Sequence, residues 1–179
     1  MIGKILANIS SFYWILFFYF LHNQYFILDY CKNDKYASVI LYLLFGLLLG
    51  WYSLTYMIKK SYEKTKDDLS IEKIYPVYTE YMPIYLAIIV IAFELNNFPD
   101  IQSQFTISLI FFLIYILFHI SNIGYLNPIW YFIGYRVYKI ENKQSNYIFI
   151  AHKNINYKSE IRISDIRKVD EFTFIKKKD

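Results

Sequence analysis

The longest uncharged run in the chain limits the folds that it can adopt. Residues 37–58 contain no Asp, Glu, Lys or Arg, and about 20 apolar residues suffice for a helix to cross a bilayer. Three further apolar blocks lie at 5–21, 82–98 and 105–124. The hydrophobic content of 56% is thus concentrated in blocks. This distribution is typical of a membrane protein and predicts four transmembrane helices.

The first block follows Lys4, as the apolar part of a signal peptide would. Leu21 and His22 offer no small-residue cleavage site, and the block is long for the apolar region of a signal peptide. We therefore interpret this block as a retained helix.

Gly46 and Gly50 form a GxxxG pattern in the second block. Such a pattern allows another helix to approach the backbone closely. The alternative is that glycine is simply frequent in membrane helices. The pattern predicts a close helix contact, within the chain or between copies of it.

Charge predicts the orientation of the four helices. The N-terminus, the connector at 59–81 and the C-terminal tail carry 1, 5 and 11 Lys and Arg residues, whereas the loops at 22–36 and 96–104 carry 2 and 0. Positive loops stay in the cytoplasm. The sequence predicts a multi-pass membrane protein with both termini cytoplasmic. Within the connector, residues 61–74 could form a short surface helix.

Three polar residues fall within or beside the later apolar blocks. An ionisable group inside a bilayer is a candidate functional site. Glu94 lies near the end of the third block, where a carboxylate reaching the interface is the simpler interpretation. His119 and Asn122 are three residues apart and share a helix face. They fit interhelical hydrogen bonding, with a proton-relay or gating role as the alternative.

The segment from Leu126 to Tyr138 is predicted to be a hinge between membrane and cytosol. Asn127 and Pro128 predict the end of the fourth helix. Trp130 and Tyr131 suit a membrane interface. Gly134 permits a turn into a strand that begins with Tyr135 and includes Tyr138. The remaining predicted features are strands at 135–141, 147–152, 160–163 and 171–175, a turn at 142–146 and one helical turn at Ser164 and Asp165.

The predicted fold is therefore an α-helical integral membrane protein with four transmembrane helices and a small C-terminal β-rich cytosolic domain. The expected domains are residues 1–130 and 131–179. A β-rich tail of that size has a marginal core by itself. Docking against the membrane domain or another protein would offset this.

No catalytic or nucleotide-binding motif is present in the sequence. The patterns GxxxxGK[ST], GxGxxG, HExxH and CxxC are all missing. The three histidines, His22, His119 and His152, fall at different predicted depths or sides of the membrane. We expect no catalytic residues, no metal and no cofactor, and do not expect an enzyme. The tail lysines suit membrane lipid better than nucleic acid.

The hinge and the strands after it also resemble a known family. Residues 126–128 read Leu-Asn-Pro, residues 134–141 read Gly-Tyr-Arg-Val-Tyr-Lys-Ile-Glu, and residues 147–150 read Tyr-Ile-Phe-Ile. This junction resembles the KwaA-type membrane subunit of the Kiwa anti-phage defence system, and residues 1–120 match it in layout. The resemblance implies a sensor in the bacterial inner membrane that forms a homo-oligomer. It also implies a separate cytosolic effector, KwaB, that acts on phage DNA processes.

Two classes of function follow from these observations. In the first, the chain is a sensor and scaffold of an anti-phage complex that recruits and regulates the KwaB-like effector. In the second, it is a pore-forming effector that depolarises the infected cell. A small transporter is a third hypothesis. The sparse polar residues of the apolar blocks favour the scaffold.

Overall fold

The computed structural model describes residues 2–28, 35–63, 66–71, 73–95, 101–121, 125–142, 145–152, 161–170 and 172–176. The long helices are α1 (Ile2–His22), α2 (Lys35–Ser61), α3 (Tyr78–Glu94) and α4 (Ile101–Ser121), and the short helix is α5 (Pro128–Phe132). The strands are β1 (Lys66–Ile71), β2 (Lys73–Pro76), β3 (Tyr135–Asn142), β4 (Ser145–His152), β5 (Ile161–Asp170) and β6 (Thr173–Lys176).

Helix α1 is the centre of the helical part, since α2, α3 and α4 each pack against it. Phe12 packs edge to face against Phe111 and Phe118 of α4, with ring centroids 6.2 and 5.9 Å apart. On another side of α1, the hydroxyl of Tyr85 in α3 donates to the Ser11 carbonyl oxygen at 2.9 Å. The N-terminal helix is therefore an integral part of the folded helices.

Three of the described helices are long and apolar enough to cross a membrane, namely Ile2–His22, Lys35–Ser61 and Gln104–Ser121. The apolar part of α3, Met82–Glu94, is shorter. The sequence predicts four spans, and the helices agree with it in number and approximate position. That these helices cross a membrane, α3 included, stays a prediction.

The six strands form one mixed sheet in the order β1-β5-β6-β4-β3-β2. Two of these strands, β1 and β2, come from the connector. The predicted surface helix at 61–74 is therefore wrong beyond Ser61, where α2 ends. Ser164 and Asp165 lie inside β5, so the predicted helical turn there is also wrong. In both places, pairing with strands distant in sequence overrides the local preference.

The sheet must curl, because its two outermost strands are neighbours in sequence. Only residue 72 separates β1 from β2, although four strands lie between them in the sheet. A flat sheet of this width would hold its edges about 24 Å apart, whereas a single linking residue spans only about 7 Å. Contact between β1 and β3 agrees with this curling. We call the curled sheet the barrel.

The two faces of the sheet bury different sets of side chains. One set fills the barrel interior and includes Tyr138, Ile140, Phe149 and Phe174. The opposite face packs against the helices through Val137, Ile150 and Ile175 among others, together with Leu54 and Met57 of α2. Strands β1 and β2 of the connector thus add to the core of the β-rich tail, which was expected to be marginal by itself. The β structure is not confined to residues 131–179, and the domain division at residue 130 stays a prediction.

Gly46 and Gly50 both face neighbouring elements of the same chain. A Cβ atom on Gly46 would lie 2.8 Å from Cε1 of Tyr13 in α1. On Gly50 it would lie 2.7 Å from Cβ of Ile129 in α5. The face that carries the GxxxG pattern is therefore occupied within the chain.

We predict that Gly50→Ala destabilises the fold. The added methyl group meets Cβ of Ile129, which can move only with the α5 backbone, so the free energy of unfolding should fall by about 1–3 kcal/mol. Thermal unfolding of the detergent-solubilised protein, followed by tryptophan fluorescence, measures this. Leu48→Ala is the control, because Leu48 lies on the same helix with 67% of its surface exposed. Equal stability of Gly50→Ala and the unmodified protein would contradict the close contact.

Candidate functional site at the helix–barrel hinge

Asn127 and Pro128 begin a new helix. Helix α4 ends at Ser121, so the prediction that this pair terminates it is wrong. Pro128 occupies the first turn of α5, where a missing N–H breaks no helical hydrogen bond. The side-chain Oδ1 of Asn127 accepts from the N–H of Ile129 at 2.9 Å. This is an N-cap, which satisfies a backbone donor that the helix leaves free.

The other end of the Asn127 amide enters a buried polar network. Its Nδ2 donates to Oγ of Ser10 in α1 at 2.7 Å, and that oxygen lies 3.1 Å from Oγ of Ser53 in α2. The Nε1 of Trp130 donates toward the Ser53 hydroxyl and the Gly50 carbonyl oxygen, each at 3.1 Å. None of Asn127, Ser10, Ser53 and Trp130 is more than 3% exposed.

This network fixes the place of α5 between α1 and α2. A buried polar group that loses its partner costs about 1–3 kcal/mol. A displacement of α5 would break several of these bonds together. We call Ser10, Ser53, Asn127 and Trp130 the hinge network.

Trp130 and Tyr131, which the sequence assigns to a membrane interface, have different environments. Trp130 is 1% exposed and belongs to the core between helices and barrel, so its ring does not face outward as a lipid-exposed interfacial residue would. Tyr131 and Phe132 are 54% and 83% exposed. Consecutive residues of a helix point in different directions, and the sequence alone does not say which aromatic residue faces the core.

A second link joins the hinge to the barrel through Tyr125. Its hydroxyl donates to Oδ2 of Asp170, at the end of β5, at 2.8 Å. The hydroxyl also accepts a hydrogen bond from Oγ1 of Thr173 in β6 at 3.2 Å. Burial and the adjacent Asp170 carboxylate both raise the pKa of Tyr125 well above its ordinary value. The tyrosine therefore remains a neutral donor, and its ring lies beside Trp130 with centroids 6.3 Å apart.

Gly134 turns the chain from α5 into β3. Its φ of +98° lies in a region that residues with a Cβ atom rarely adopt. A Cβ atom there would also lie 3.1 Å from Nε2 of His152. The next residue, Tyr135, starts β3 and packs edge to face on His152, with centroids 5.1 Å apart. Tyr138, the other predicted hinge residue of this strand, lies in the barrel interior at 1% exposure.

The predicted intramembrane polar residues do not form one site. Glu94 is the exposed last residue of α3. His119 is half-buried near the end of α4, where its Nδ1 lies 2.7 Å from Nδ2 of Asn8 in α1. This bond joins two helices. Asn122 lies outside the described residues.

The sequence analysis did not identify several residues of the hinge. Ser10, Ser53, Tyr125 and Asp170 were not assigned a role there. A usable signal was present in the run Asn8, Ser10 and Ser11 within an otherwise apolar helix, because such polar residues commonly bond across helices. Nothing comparable marks Tyr125 or Asp170, whose contact spans 45 residues of sequence.

The chemistry of the described residues is that of packing and hydrogen bonding. Among them, no three His, Cys, Asp or Glu side chains are grouped to hold a metal ion. The expectation that the protein is not an enzyme stays a prediction. The hinge network and the Tyr125 link are the candidate functional site, because together they connect the helices to the barrel.

We predict that the Asn127 amide couples energetically to Ser10. Asn127→Ala removes the cap and the bond to Ser10, and should lower the free energy of unfolding by about 2–4 kcal/mol. A double-mutant cycle of Asn127→Ala and Ser10→Ala should give an interaction free energy between the two side chains of about 0.5–1.5 kcal/mol. Thermal unfolding in detergent measures both. Thr55→Ala is the control, because that exposed hydroxyl bonds only within its own helix. Strictly additive effects would show that the two side chains do not interact.

Comparison with known proteins assigns the family. Nothing among curated proteins or solved structures matches the chain. The family model described as "Anti-phage protein KwaA" matches residues 3–175, which is nearly the whole chain. The protein therefore belongs to the KwaA family of anti-phage defence proteins.

Proposed function

We propose that this protein is the membrane sensor and scaffold subunit of its anti-phage complex. In this proposal it crosses the bacterial inner membrane several times, and its barrel recruits and regulates a separate cytosolic effector of the KwaB type. Family membership supports the role in defence. The three helices of membrane-crossing length support the location.

The outer faces of the helices support insertion into a membrane. Leu44, Leu48 and Trp51 of α2 are 54–67% exposed, and Leu117 and Ile120 of α4 are 60% and 70% exposed. Large apolar side chains in such numbers are unusual on a water-soluble surface. Lipid or further copies of the chain would cover them, and the proposed homo-oligomer would use these faces.

The arrangement of the strands supports the predicted orientation. Connector strands β1 and β2 pair with tail strands β5 and β3, so connector and tail lie on the same side of the helices. At the opposite ends, Nδ2 of Asn23 donates to the Leu95 carbonyl oxygen at 3.4 Å. The lysine-rich segments therefore share one side, as the positive-inside rule requires of cytoplasmic segments.

The observation that carries the proposal is the double attachment of the barrel to the helices. The hinge network holds α5 against α1 and α2, and β3 begins three residues after α5 ends. Independently, Tyr125 ties the segment after α4 to β5 and β6. A shift of the helices is passed to the barrel by covalent and non-covalent routes, which suits a sensor that signals to a cytosolic partner.

The use of polar side chains favours a scaffold over a pore within one chain. Asn8, Ser10 and Ser11 are each fully buried, and Asn8 and Ser10 bond to neighbouring helices. A water-filled pore needs polar residues along a shared surface. Among the described residues, the most exposed faces of α2 and α4 carry mainly Leu, Ile and Phe.

We expect opposite sides of the membrane for the two ends of α2. In a Cys31→Ser background, Lys59→Cys should be protected from an impermeant thiol reagent added to intact cells whose outer membrane is permeabilised. Tyr36→Cys, at the other end and 84% exposed, should be labelled. Labelling of position 59 but not of position 36 would reverse the proposed orientation. Lysis before labelling is the control for the reactivity of both cysteines.

We also expect Tyr125→Phe to weaken defence more than it weakens folding. The change removes only the hydroxyl that bonds Asp170 and Thr173, with a stability loss of about 1–2 kcal/mol. Phage plaque counts on cells carrying the complete system should rise, while the amount of protein in the membrane stays unchanged. Tyr36→Phe is the matched control. Full protection by Tyr125→Phe would show that this bond does not transmit the signal, and co-purification with the effector would test recruitment separately.

A further inference from the structure

Two arginines of the described chain have the same local arrangement. The guanidinium carbon of Arg136 lies 3.5 Å from the ring centroid of Tyr131, and its Nη1 donates to the Tyr131 carbonyl oxygen at 2.8 Å. Arg167 lies 3.9 Å from the ring of Tyr62, and its Nη1 donates to the Tyr62 carbonyl oxygen at 2.8 Å. The chain has 19 Lys and Arg residues, yet only arginine supplies the flat, forked group that this stacking needs.

Among the described residues, the Arg136 guanidinium has hydrogen-bond partners for Nη1 only. Its Nη1 also donates to the Tyr135 carbonyl oxygen at 3.1 Å. Within the described part of the chain, these backbone oxygens are its hydrogen-bond partners, so no carboxylate there neutralises its charge. The edge formed by Nε and Nη2 remains, and this pair of donors matches two oxygens of a phosphate.

Exposed aromatic side chains mark the level at which Arg136 lies. Trp51 and Tyr52 of α2 are 61% and 56% exposed, and Tyr131 and Phe132 of α5 are 54% and 83% exposed. Because α5 packs against α2 at Gly50, these four residues lie at a similar height. Aromatic residues concentrate where the hydrocarbon of a bilayer meets its headgroups. We call these four residues the aromatic belt.

Arg136 and Arg167 differ in their distance from the aromatic belt. Arg136 stacks on Tyr131, a member of the belt. Tyr62, on which Arg167 stacks, directly follows the last residue of α2, Ser61. Ser61 lies nine residues after Tyr52, or about 14 Å along the helix axis. The headgroup layer is only about 5–8 Å thick on each side of the bilayer. Lipid phosphates are therefore within reach of Arg136 and out of reach of Arg167.

We infer that Arg136 binds the phosphate of an anionic lipid headgroup on the barrel side of the membrane, through Nε and Nη2. The inference rests on the membrane placement in the proposed function and names one ligand of its hinge. The same guanidinium holds the carbonyl oxygens of Tyr131, in α5, and Tyr135, at the start of β3. A bound headgroup therefore strengthens the hinge itself.

The test uses the full-length protein alone in lipid nanodiscs of phosphatidylcholine or of phosphatidylglycerol. Phosphatidylglycerol should raise Tm by about 3 °C or more over phosphatidylcholine. Arg136→Gln and Arg136→Lys should both abolish this headgroup-dependent rise, since lysine lacks the fork. Arg167→Gln is the matched control and should keep it. Tyr131→Phe should also keep it, because the ring remains.

Each other outcome decides against the inference. If Arg136→Gln lowers Tm equally in both lipids, so that Tm is still higher in phosphatidylglycerol, the arginine only stabilises the hinge. If Arg167→Gln abolishes the rise as well, general positive charge is responsible. Inorganic phosphate could raise the Tm of the protein in phosphatidylcholine nanodiscs as much as phosphatidylglycerol does. If Arg136→Gln abolishes that rise, the ligand is a soluble anion. Failure to enter nanodiscs of either lipid would overturn the membrane placement, whereas entry without a headgroup preference overturns only the inference.

Discussion

The buried amide of Asn127 is the interaction on which the rest of the structure depends. Its oxygen caps α5 and its nitrogen bonds Ser10 of α1, so a single side chain both starts a helix and attaches it to its neighbour. The side chain is buried, so the loss of either partner would leave a polar atom without a hydrogen bond at a cost of about 1–3 kcal/mol. Because β3 begins soon after α5 ends, the position of the barrel follows from the position of this amide.

Small residues make that arrangement sterically possible. Gly50 lets Ile129 reach the α2 backbone, and this close approach brings Trp130 within hydrogen-bond distance of the Gly50 carbonyl oxygen and of Ser53. The glycine pattern thus serves the contact between α2 and the hinge. Self-association of the protein would have to use other surfaces, such as the exposed apolar faces of α2 and α4.

The composite origin of the barrel has a consequence for signalling. Connector strands lie between α2 and α3, while the tail strands follow α5, so every long helix except α1 leads directly or through the hinge into the same sheet. A disturbance of the helices therefore converges on one cytosolic element in the proposed orientation. This convergence is consistent with the proposed role of the protein as a sensor and scaffold in anti-phage defence.

The sequence by itself determined the features that depend on local pattern. Long apolar blocks predict four helices because helix formation and burial of apolar surface act over neighbouring residues. Strands β3 and β4 were predicted near their observed bounds, since alternating side chains in 135–141 and 147–152 favour an extended chain. The family could also be inferred from the junction around Asn127, Pro128 and Gly134, and the family match agrees.

Only the tertiary structure decided how distant segments combine. The connector has charged residues at helical spacing, yet it forms β1 and β2, because partners in β5 and β3 supply the backbone hydrogen bonds. Likewise, Asn-Pro starts a helix here, and Trp130 faces the core while Tyr131 faces outward. These outcomes depend on contacts between residues up to 117 positions apart, as in the bond from Asn127 to Ser10. Local periodicity carries no information about such pairs, because the contact energy exists only once both segments are folded.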